Sequence, residues 1–305
     1  MTGSISLIII TYNRPGDLLE LLQSLRVQED ISLLKEVLIL NNASTVSYDA
    51  VTNFIRQNSD IPFQYILSEE NVGVSRGRNR LMQLASGELL LVLDDDILFR
   101  EKQDLKNMRM AWDKPFFREA NTAALTYRVI YHSTKEQQRT AFPHKQYDRY
   151  INELVFLTSY FTGCTHMLLR SVLDKTGYYP EDFFYGMEEY DLSYRIIAAG
   201  YSLGYDNSVT VEHKESPLGR QPNHKKLASQ WVNKSKVAWR YLPRIYFFST
   251  AFAWSFEYLK KAFGHPLTWF TSWGKVFQIP FREKRRTHVG RVRTYLQKVN
   301  ARLWY

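Results

Sequence analysis

The first 93 residues repeat a pattern of short apolar runs separated by helical or polar segments. Residues 5–10 form the first run, which is apolar and rich in β-branched side chains. Such a run is typical of a strand buried on both faces, as in a parallel sheet. Pro15 and Gly16 mark a turn after it, and leucines at helical spacing then predict an amphipathic helix over residues 17–28.

The same alternation continues along the chain and indicates the fold class. Further strands are predicted at residues 36–40, 63–67, 88–93, 122–127, 165–169 and 202–211. Helices are predicted at 51–57 and 188–199, with a glycine-containing loop at 71–79 that enters a helix ending near residue 85, and a polar loop at 132–148. Strands that alternate with helices favour an open α/β sheet.

Polar clusters follow three of the predicted strands, at residues 11–14, 41–44 and 94–96. In open α/β sheets, ligands bind outside the carboxyl ends of the strands. We therefore expect these three clusters to meet at one ligand site.

Asp94, Asp95 and Asp96 directly follow the apolar run of the fourth strand. Adjacent carboxylates at the end of a buried strand repel one another and resist desolvation. A divalent cation offsets that cost, and carboxylate oxygens suit Mg²⁺ or Mn²⁺. The alternative is a solvated acidic turn. His213 follows the last predicted strand and becomes a third metal ligand if that strand end reaches the aspartates; otherwise it is a structural histidine.

Glu188 and Glu189 follow an aromatic segment at residues 183–185. Aromatic surroundings raise the pKa of a carboxyl group by desolvation, which suits a general base. The alternative is an acidic first helical turn favoured by the helix dipole. Asp191 and Arg195 are four residues apart on the same helix and are expected to pair on its surface.

Arg76, Arg78 and Arg80 lie close together after the loop at residue 71. Arginine suits bidentate contact with phosphate, although these residues also fit a solvated helix face. The glycine spacing matches neither a phosphate-binding P-loop nor a dinucleotide fingerprint. Cys164 is the only cysteine, which excludes a disulfide framework and favours a reducing, cytosolic setting in which it simply packs. The first ten residues show no signal-peptide pattern.

The charge is divided unevenly along the chain. Residues 214–305 hold 19 Lys and Arg but 3 Asp and Glu, whereas residues 1–213 hold 21 and 28. Aromatic residues interleave with the cations in the basic region, which suits the interface of an anionic membrane. The apolar stretch at 245–256 is too short to span a bilayer. Alternatives are a helical subdomain that covers one side of the sheet, or a surface for oligomer formation.

Other functions remain open on these patterns. A nucleotidyltransferase also uses a metal and an α/β sheet, but residues 11–16 contain one glycine where a glycine-rich phosphate loop would be expected. Binding of nucleic acid by the basic region is disfavoured, because the acidic body would repel phosphate backbones and no known motif is present. A non-catalytic, nucleotide-binding relative is a further alternative.

Taken together, the motifs resemble those of the inverting family 2 glycosyltransferases of the GT-A fold, over residues 3–215. The matching segments, in order, are Thr11-Tyr12-Asn13-Arg14, Asn41-Asn42-Ala43-Ser44, Asn71-Val72-Gly73 with Arg78-Asn79, Asp94-Asp95-Asp96, Gly163, and Glu188-Glu189-Tyr190-Asp191-Leu192 with Arg195. The resemblance implies a Rossmann-like, mostly parallel sheet flanked by helices in a catalytic domain at 1–215. A basic, helical C-terminal region at 216–305 would follow.

The resemblance also implies a role for each matching position. Binding of the donor would involve Thr11, Tyr12, Asn13, Arg14, Asn41, Asn42, Arg78, Asp94 and Asp95. Asn41 stands where the family usually has Asp, so it would contact the base through an uncharged amide. Asp94 would meet the ribose, and Asp96 with His213 would hold the metal.

For catalysis, the resemblance implies a metal-assisted single displacement with Mn²⁺ or Mg²⁺. Glu189 would be the base, and Glu188 or Asp191 would share the contact with the acceptor. The donor would be a nucleotide sugar in which the sugar is linked to UDP or dTDP. The acceptor would be a hydroxyl of a glycan or lipid-linked glycan, as in bacterial polysaccharide assembly. The expected location is the cytoplasm, at the surface of the membrane.

Overall fold

The computed structural model describes residues 3–219, 221–285 and 288–303. In these residues nine strands form one sheet in the order β3-β2-β1-β4-β8-β6-β9-β5, with β7 paired to β9. The strands are β1 (Ile5–Thr11), β2 (Leu34–Asn41), β3 (Phe63–Leu67), β4 (Leu89–Asp94), β5 (Ile97–Phe99), β6 (Thr122–Tyr131), β7 (Val155–Thr158), β8 (Thr165–Leu169) and β9 (Ser202–His213). Strands β1 to β4 are parallel, whereas β8 runs antiparallel to both β4 and β6. The predicted α/β class is therefore confirmed.

Helices cover the sheet. They are α1 (Pro15–Arg26), α2 (Asp49–Gln57), α3 (Gly73–Leu84), α4 (Asp104–Ala111), α5 (Pro115–Glu119), α6 (Tyr147–Tyr150), α7 (Arg170–Thr176), α8 (Glu188–Ala198), α9 (Asn223–Tyr241), α10 (Arg244–Ala262), α11 (Pro266–Arg282) and α12 (Val289–Lys298). The segment predicted as a loop at 71–79 is helical from Gly73 onward, so that prediction was wrong in part. The glycines indicate a loop, but Gly77 lies inside α3, where a side chain would press against Ile10 and Leu40 of the sheet. Glycine lets α3 pack closely against the strands.

The side chains of β1 show why the strand is apolar throughout. Ile5, Leu7 and Ile9 pack with the leucines of α1 on one face of the sheet. Ile8 belongs to the core on the opposite face. Each such fully buried aliphatic side chain contributes about 1.5–3 kcal/mol to folding. The prediction of a strand buried on both faces is confirmed.

The C-terminal helices share a core with the sheet. Trp231, Tyr241 and Leu296 are fully buried and belong to the same apolar cluster as Leu38 and Val92. A domain boundary at residue 215 therefore remains a prediction. Among the described residues, none of the helices combines the length and apolar character needed to cross a membrane.

Candidate active site

The predicted ligand edge of the sheet carries a cleft of about 680 Å³. The strand register creates it, because Thr11 of β1 lies opposite Asn41 of β2 while Ile10 lies opposite Asp94 of β4. The cleft is lined by these sequence-predicted residues: Tyr12, Asn13, Arg14, Asn42, Arg78, Asp94, Asp95, Asp96 and His213. The three polar clusters therefore meet as expected.

Thr11 and Asn41 lie behind the cleft rather than in its lining. The hydroxyl groups of Thr11 and Tyr48 are 2.7 Å apart, and Thr11 is 1% exposed. The Asn41 amide donates to the Tyr65 hydroxyl and its oxygen accepts from the Ser44 amide. Both residues thus shape the loops that line the cleft, and their predicted contacts with the donor remain predictions.

Asp95 is held by Arg14. The two groups are 2.9 Å apart, and Arg14 also lies 3.4 Å from Asp96. Burial, opposed by Arg14 and reinforced by Asp96, raises the pKa of Asp95 to about 7. Arg14 thus favours the ionised forms of Asp95 and Asp96, whereas burial favours the neutral form of Asp95.

Asp94, Asp96 and His213 form a group suited to a metal. One ligand atom from each lies within 4.8 Å of the others. Asp96 Oδ1 is buried and has no hydrogen-bond partner among the described residues, although His213 Nε2 is 3.2 Å away. The other carboxylate oxygen of Asp96 accepts from the Ser216 amide. Two carboxylates, an imidazole and an unsatisfied buried acceptor fit a divalent cation.

Gln138 fixes the orientation of His213. Its side-chain amide nitrogen donates to Glu215 and Thr140, which leaves its oxygen to accept from His213 Nδ1 at 2.8 Å. Burial opposes the charged imidazole, yet the nearby Asp96 and Cys164 raise the pKa of His213 to about 11, so the ring is charged when no cation is bound. A cation bound at Nε2 would displace the proton from that nitrogen, while Nδ1 would keep its proton for Gln138.

Arg78 connects the aspartates to the two glutamates. Its guanidinium lies 2.7 Å from Asp94 Oδ1, 2.8 Å from the Gly163 carbonyl and 3.3 Å from Glu189 Oε1. Its side chain is 5% exposed, whereas Arg76 and Arg80 face solvent. Of the three arginines in this cluster, Arg78 is therefore the one that belongs to the site.

Glu188 and Glu189 begin α8 beside the site. Gly186 and Met187 both have positive φ and turn the chain sharply into the helix. Burial raises the pKa of both carboxyl groups, and for Glu188 the neighbouring Glu189 adds to the effect. A side chain at Gly163 would overlap Glu189 Oε1, so glycine leaves room for the carboxylate. The more accessible of the two is Glu189.

Asp191 points away from this cleft. Its carboxylate binds Arg195 at 2.9 Å and Arg240 at 2.8 Å, and accepts from the Tyr241 hydroxyl. The pair with Arg195 expected on the helix surface is thus buried, which corrects that expectation. The shared core between α8 and α9 explains the difference, since Arg240 belongs to α9.

One wall of the cleft has no clear signal in the sequence. It comes from two segments: Phe184, Tyr185, Glu215, Gly219, Gln221, Pro222 and Lys226. The aromatic character of residues 183–185 predicts an effect on the glutamates but not a place in the cleft lining. Lys226 lies over the ring of Tyr185.

Known proteins identify the fold and the family. GalNAc-T7, crystallised with UDP, GalNAc and Mn²⁺, has a TM-score of 0.63 at 16% identity, over 81% of this chain and 50% of that chain. The mannosyltransferase PcManGT of Pyrobaculum calidifontis, in complex with GDP-Man and Mn²⁺, has a TM-score of 0.60 at 17% identity, over 96% and 78%. The fold is therefore that of the GT-A glycosyltransferases. This chain spans only about half the length of GalNAc-T7.

The family follows from sequence. The model of Glycosyl transferase family 2 matches residues 6–177, more than half of the chain. An uncharacterised protein of Haemophilus influenzae is 30% identical over 179 residues, covering 58% of this chain and 92% of the relative. The abequosyltransferase RfbV of Salmonella typhimurium is 35% identical over 92 residues, covering 30% and 28%. The chain belongs to glycosyl transferase family 2.

Proposed function

We propose that the protein transfers a sugar from a nucleotide-sugar donor to a hydroxyl group of a glycan or lipid-linked glycan, with inversion at the anomeric carbon. The observation that carries the proposal is Arg78, which contacts both Asp94 at the cleft and Glu189 at the start of α8. This contact puts a general-base candidate beside the edge where the aspartates would bind the donor. UDP in GalNAc-T7 and GDP-Man in PcManGT support a nucleotide-sugar donor. We propose UDP or dTDP as its nucleotide.

Asp96 and His213, with Asp94 beside them, are the residues that would hold Mn²⁺ or Mg²⁺. A bound divalent cation supplies electrostatic stabilisation to the diphosphate as its negative charge develops. The cleft loops at Tyr12 and Asn42 would contact the nucleoside. Arg78 would add a fixed positive charge near the diphosphate.

Glu189 would act on the acceptor. Its carboxylate removes the proton from the acceptor hydroxyl, whose oxygen then forms a bond with the anomeric carbon. The bond between that carbon and the diphosphate oxygen breaks, and its electron pair leaves with the nucleoside diphosphate. Attack opposite the leaving group inverts the anomeric configuration. Glu188, more deeply buried, supports the position of Glu189.

A panel of nucleotide sugars tests this proposal. We expect one or a few members to be hydrolysed slowly, with release of a nucleoside diphosphate, when Mn²⁺ or Mg²⁺ is present. A nucleotidyltransferase would instead release pyrophosphate from a nucleoside triphosphate and a sugar 1-phosphate. Failure of every nucleotide sugar to bind or react, measured by calorimetry and by diphosphate release, would rule the proposal out.

We also propose that the protein docks on the cytoplasmic face of an anionic membrane. The support is a surface that we call the apolar face. Its members are exposed, large and apolar, and lie along α10, α11 and their connection: Ile245, Phe248, Phe252, Phe256, Phe263, Leu267, Phe270, Phe277 and Phe281. Along each helix these side chains recur every three or four residues or a multiple of that spacing, and clusters of exposed apolar side chains mark interaction surfaces. Lys260, Lys261 and Arg282 are on the same two helices.

Charge favours a membrane over a second copy as the partner of the apolar face. Two copies would bring together two regions that each hold 19 basic and 3 acidic residues. Anionic lipid offers the opposite charge, and each nearby Lys or Arg adds about 1 kcal/mol to binding. The aromatic side chains would enter the boundary between headgroups and acyl chains.

Replacing Phe263, Leu267 and Phe281 together by Ser should reduce binding to anionic vesicles by about tenfold or more. Each such side chain is worth about 1.5–3 kcal/mol when fully buried, so even partial burial of three exceeds the ~1.4 kcal/mol of one tenfold step. Flotation with phosphatidylglycerol vesicles at low salt measures the bound fraction. The matched control is the double variant L67S/L154S, which removes exposed leucines elsewhere. Equal flotation of both variants, or a stable dimer of the parent protein without vesicle binding, would contradict membrane docking.

A further inference from the structure

A second cavity of about 620 Å³ lies between α9 and α11. It is beside the cleft that carries Asp94, Asp96 and His213, which we call the donor cleft. The two cavities share Phe184 and Gln221 in their linings. Phe184 is 49% exposed and lines both cavities. We call this second cavity the α9–α11 groove. Because the two linings share residues, a molecule lying in the groove would be next to the donor cleft.

The groove carries more positive charge than its own acids balance. Asp182 and Glu283 both line it, but each is already paired. Lys236 is 2.6 Å from Asp182, and Arg240 lies 2.9 Å from Asp182 and 2.7 Å from Glu283. The acids are thus neutralised within the fold.

Three further cations of the groove lie outside these ion pairs. Lys225, Lys275 and Arg282 line it, and their side chains make no ion pair with the part of the chain that the structure describes. Polar side chains complete the lining: Ser229, Asn233, Thr268, Thr271 and Gln278. Unpaired cations among hydroxyl and amide groups suit an anion with several acceptor oxygens.

The groove is connected to the segment that precedes the proposed base. Asn233 of α9 donates to the carbonyls of Tyr185 and Gly186, at 3.2 and 2.9 Å. Glu188 and Glu189 follow directly. An acceptor held along α9 would therefore lie beside the backbone that fixes Glu189.

We propose that the α9–α11 groove is the acceptor subsite and that it selects an acceptor bearing phosphate groups, such as the diphosphate of a lipid-linked glycan or a phosphorylated glycan. This inference rests on the proposed glycosyl transfer. The position of α11 supports the lipid-linked form. Its groove-lining residues recur every three or four positions, from Thr268 to Arg282, while Phe270 and Phe277 lie on the exposed apolar face of the same helix. A diphosphate in the groove would thus lie close to a membrane that holds its lipid.

The experiment measures binding of two probes by calorimetry, with chelator present so that no divalent cation contributes. The probes are inorganic pyrophosphate and farnesyl diphosphate. We expect both to bind the full chain and the double variant K275E/R282E to bind each about tenfold or more weakly, because charge-assisted hydrogen bonds are lost. The control R293E/K298E makes the same charge change on α12, outside both the groove and the apolar face, and should bind both probes as the parent does.

The results of these titrations distinguish a lipid-linked acceptor, a free phosphorylated glycan and general charge attraction. Tighter binding of farnesyl diphosphate than of pyrophosphate favours a lipid-linked acceptor, and equal binding favours a free phosphorylated glycan. Equal weakening by K275E/R282E and R293E/K298E would show only general charge attraction and overturn the groove assignment, as would no weakening by K275E/R282E. Hydrolysis of a nucleotide sugar by the parent protein, measured in parallel with Mn²⁺, reports separately on the proposed function.

Discussion

Glu189→Gln is expected to reduce sugar transfer by about 10²–10⁴-fold while donor binding is retained, because an amide cannot accept the proton of the acceptor hydroxyl. The side chain keeps its size and still offers an oxygen to Arg78, which lies 3.3 Å away. The fold and the donor cleft should therefore be unchanged. Turnover at saturating donor measures the loss, and calorimetry measures donor affinity.

Glu188→Gln is the matched comparison. Burial and the neighbouring Glu189 raise the pKa of Glu188, so its carboxyl group is favoured in the neutral form. A neutral amide of the same shape replaces a neutral acid at little cost, and we expect transfer to fall by less than about tenfold. If Glu188→Gln abolished transfer while Glu189→Gln did not, the two roles would be reversed.

The pH profile adds a second readout for the same base. Burial raises the pKa of Glu189 even though Arg78 opposes the shift. Transfer requires the carboxylate, so the rate should rise with pH through this raised pKa and fall as the group becomes protonated. Glu189→Gln should lack that limb in its residual activity. Retention of the same acidic limb by the variant would assign it to another group.

Local sequence predicted the strands of the parallel half of the sheet and the residues at their ends. The position of His213 could not be predicted in this way, because it depends on β5. That strand has three residues, and it pairs antiparallel with β9 so that Ile97 lies opposite His213. The turn between Asp94 and Ile97 then brings the histidine to the aspartates. A contact across more than 100 positions leaves no local pattern.

Gln138 and Asp191 show two other contacts that local sequence could not predict. Gln138 lies in a segment that its composition predicts to be a polar loop, yet it is 2% exposed and orients His213. Asp191 follows two acidic residues on the same helix, but Arg240 from a helix 49 positions later binds it inside the core. Residue type and helical spacing indicate neither partner, since both depend on packing between distant segments.

Asp96→Asn is expected to weaken Mn²⁺ binding by about 100-fold or more, since changes to residues that merely support a metal ligand cost about 10–100-fold. The amide oxygen can still accept from the Ser216 amide, so the loop at the end of β4 should keep its position. Without a cation, the effect of burial on Asp96 is outweighed by His213 and Arg14, which lower the pKa of Asp96, so its negative charge stabilises the fold. Loss of that charge should therefore leave the thermal midpoint without metal unchanged or lower.

Gln138→Leu provides a graded control for this prediction. It removes the hydrogen bond that directs His213 Nε2 towards Asp96 but leaves all three candidate ligands in place. We expect a loss of about 10–100-fold in Mn²⁺ affinity, smaller than that of Asp96→Asn. Titration of Mn²⁺ by calorimetry or electron paramagnetic resonance, without donor, measures both effects. Unchanged Mn²⁺ affinity in Asp96→Asn would place the cation elsewhere, whereas a loss confined to that variant would remove His213 from the site.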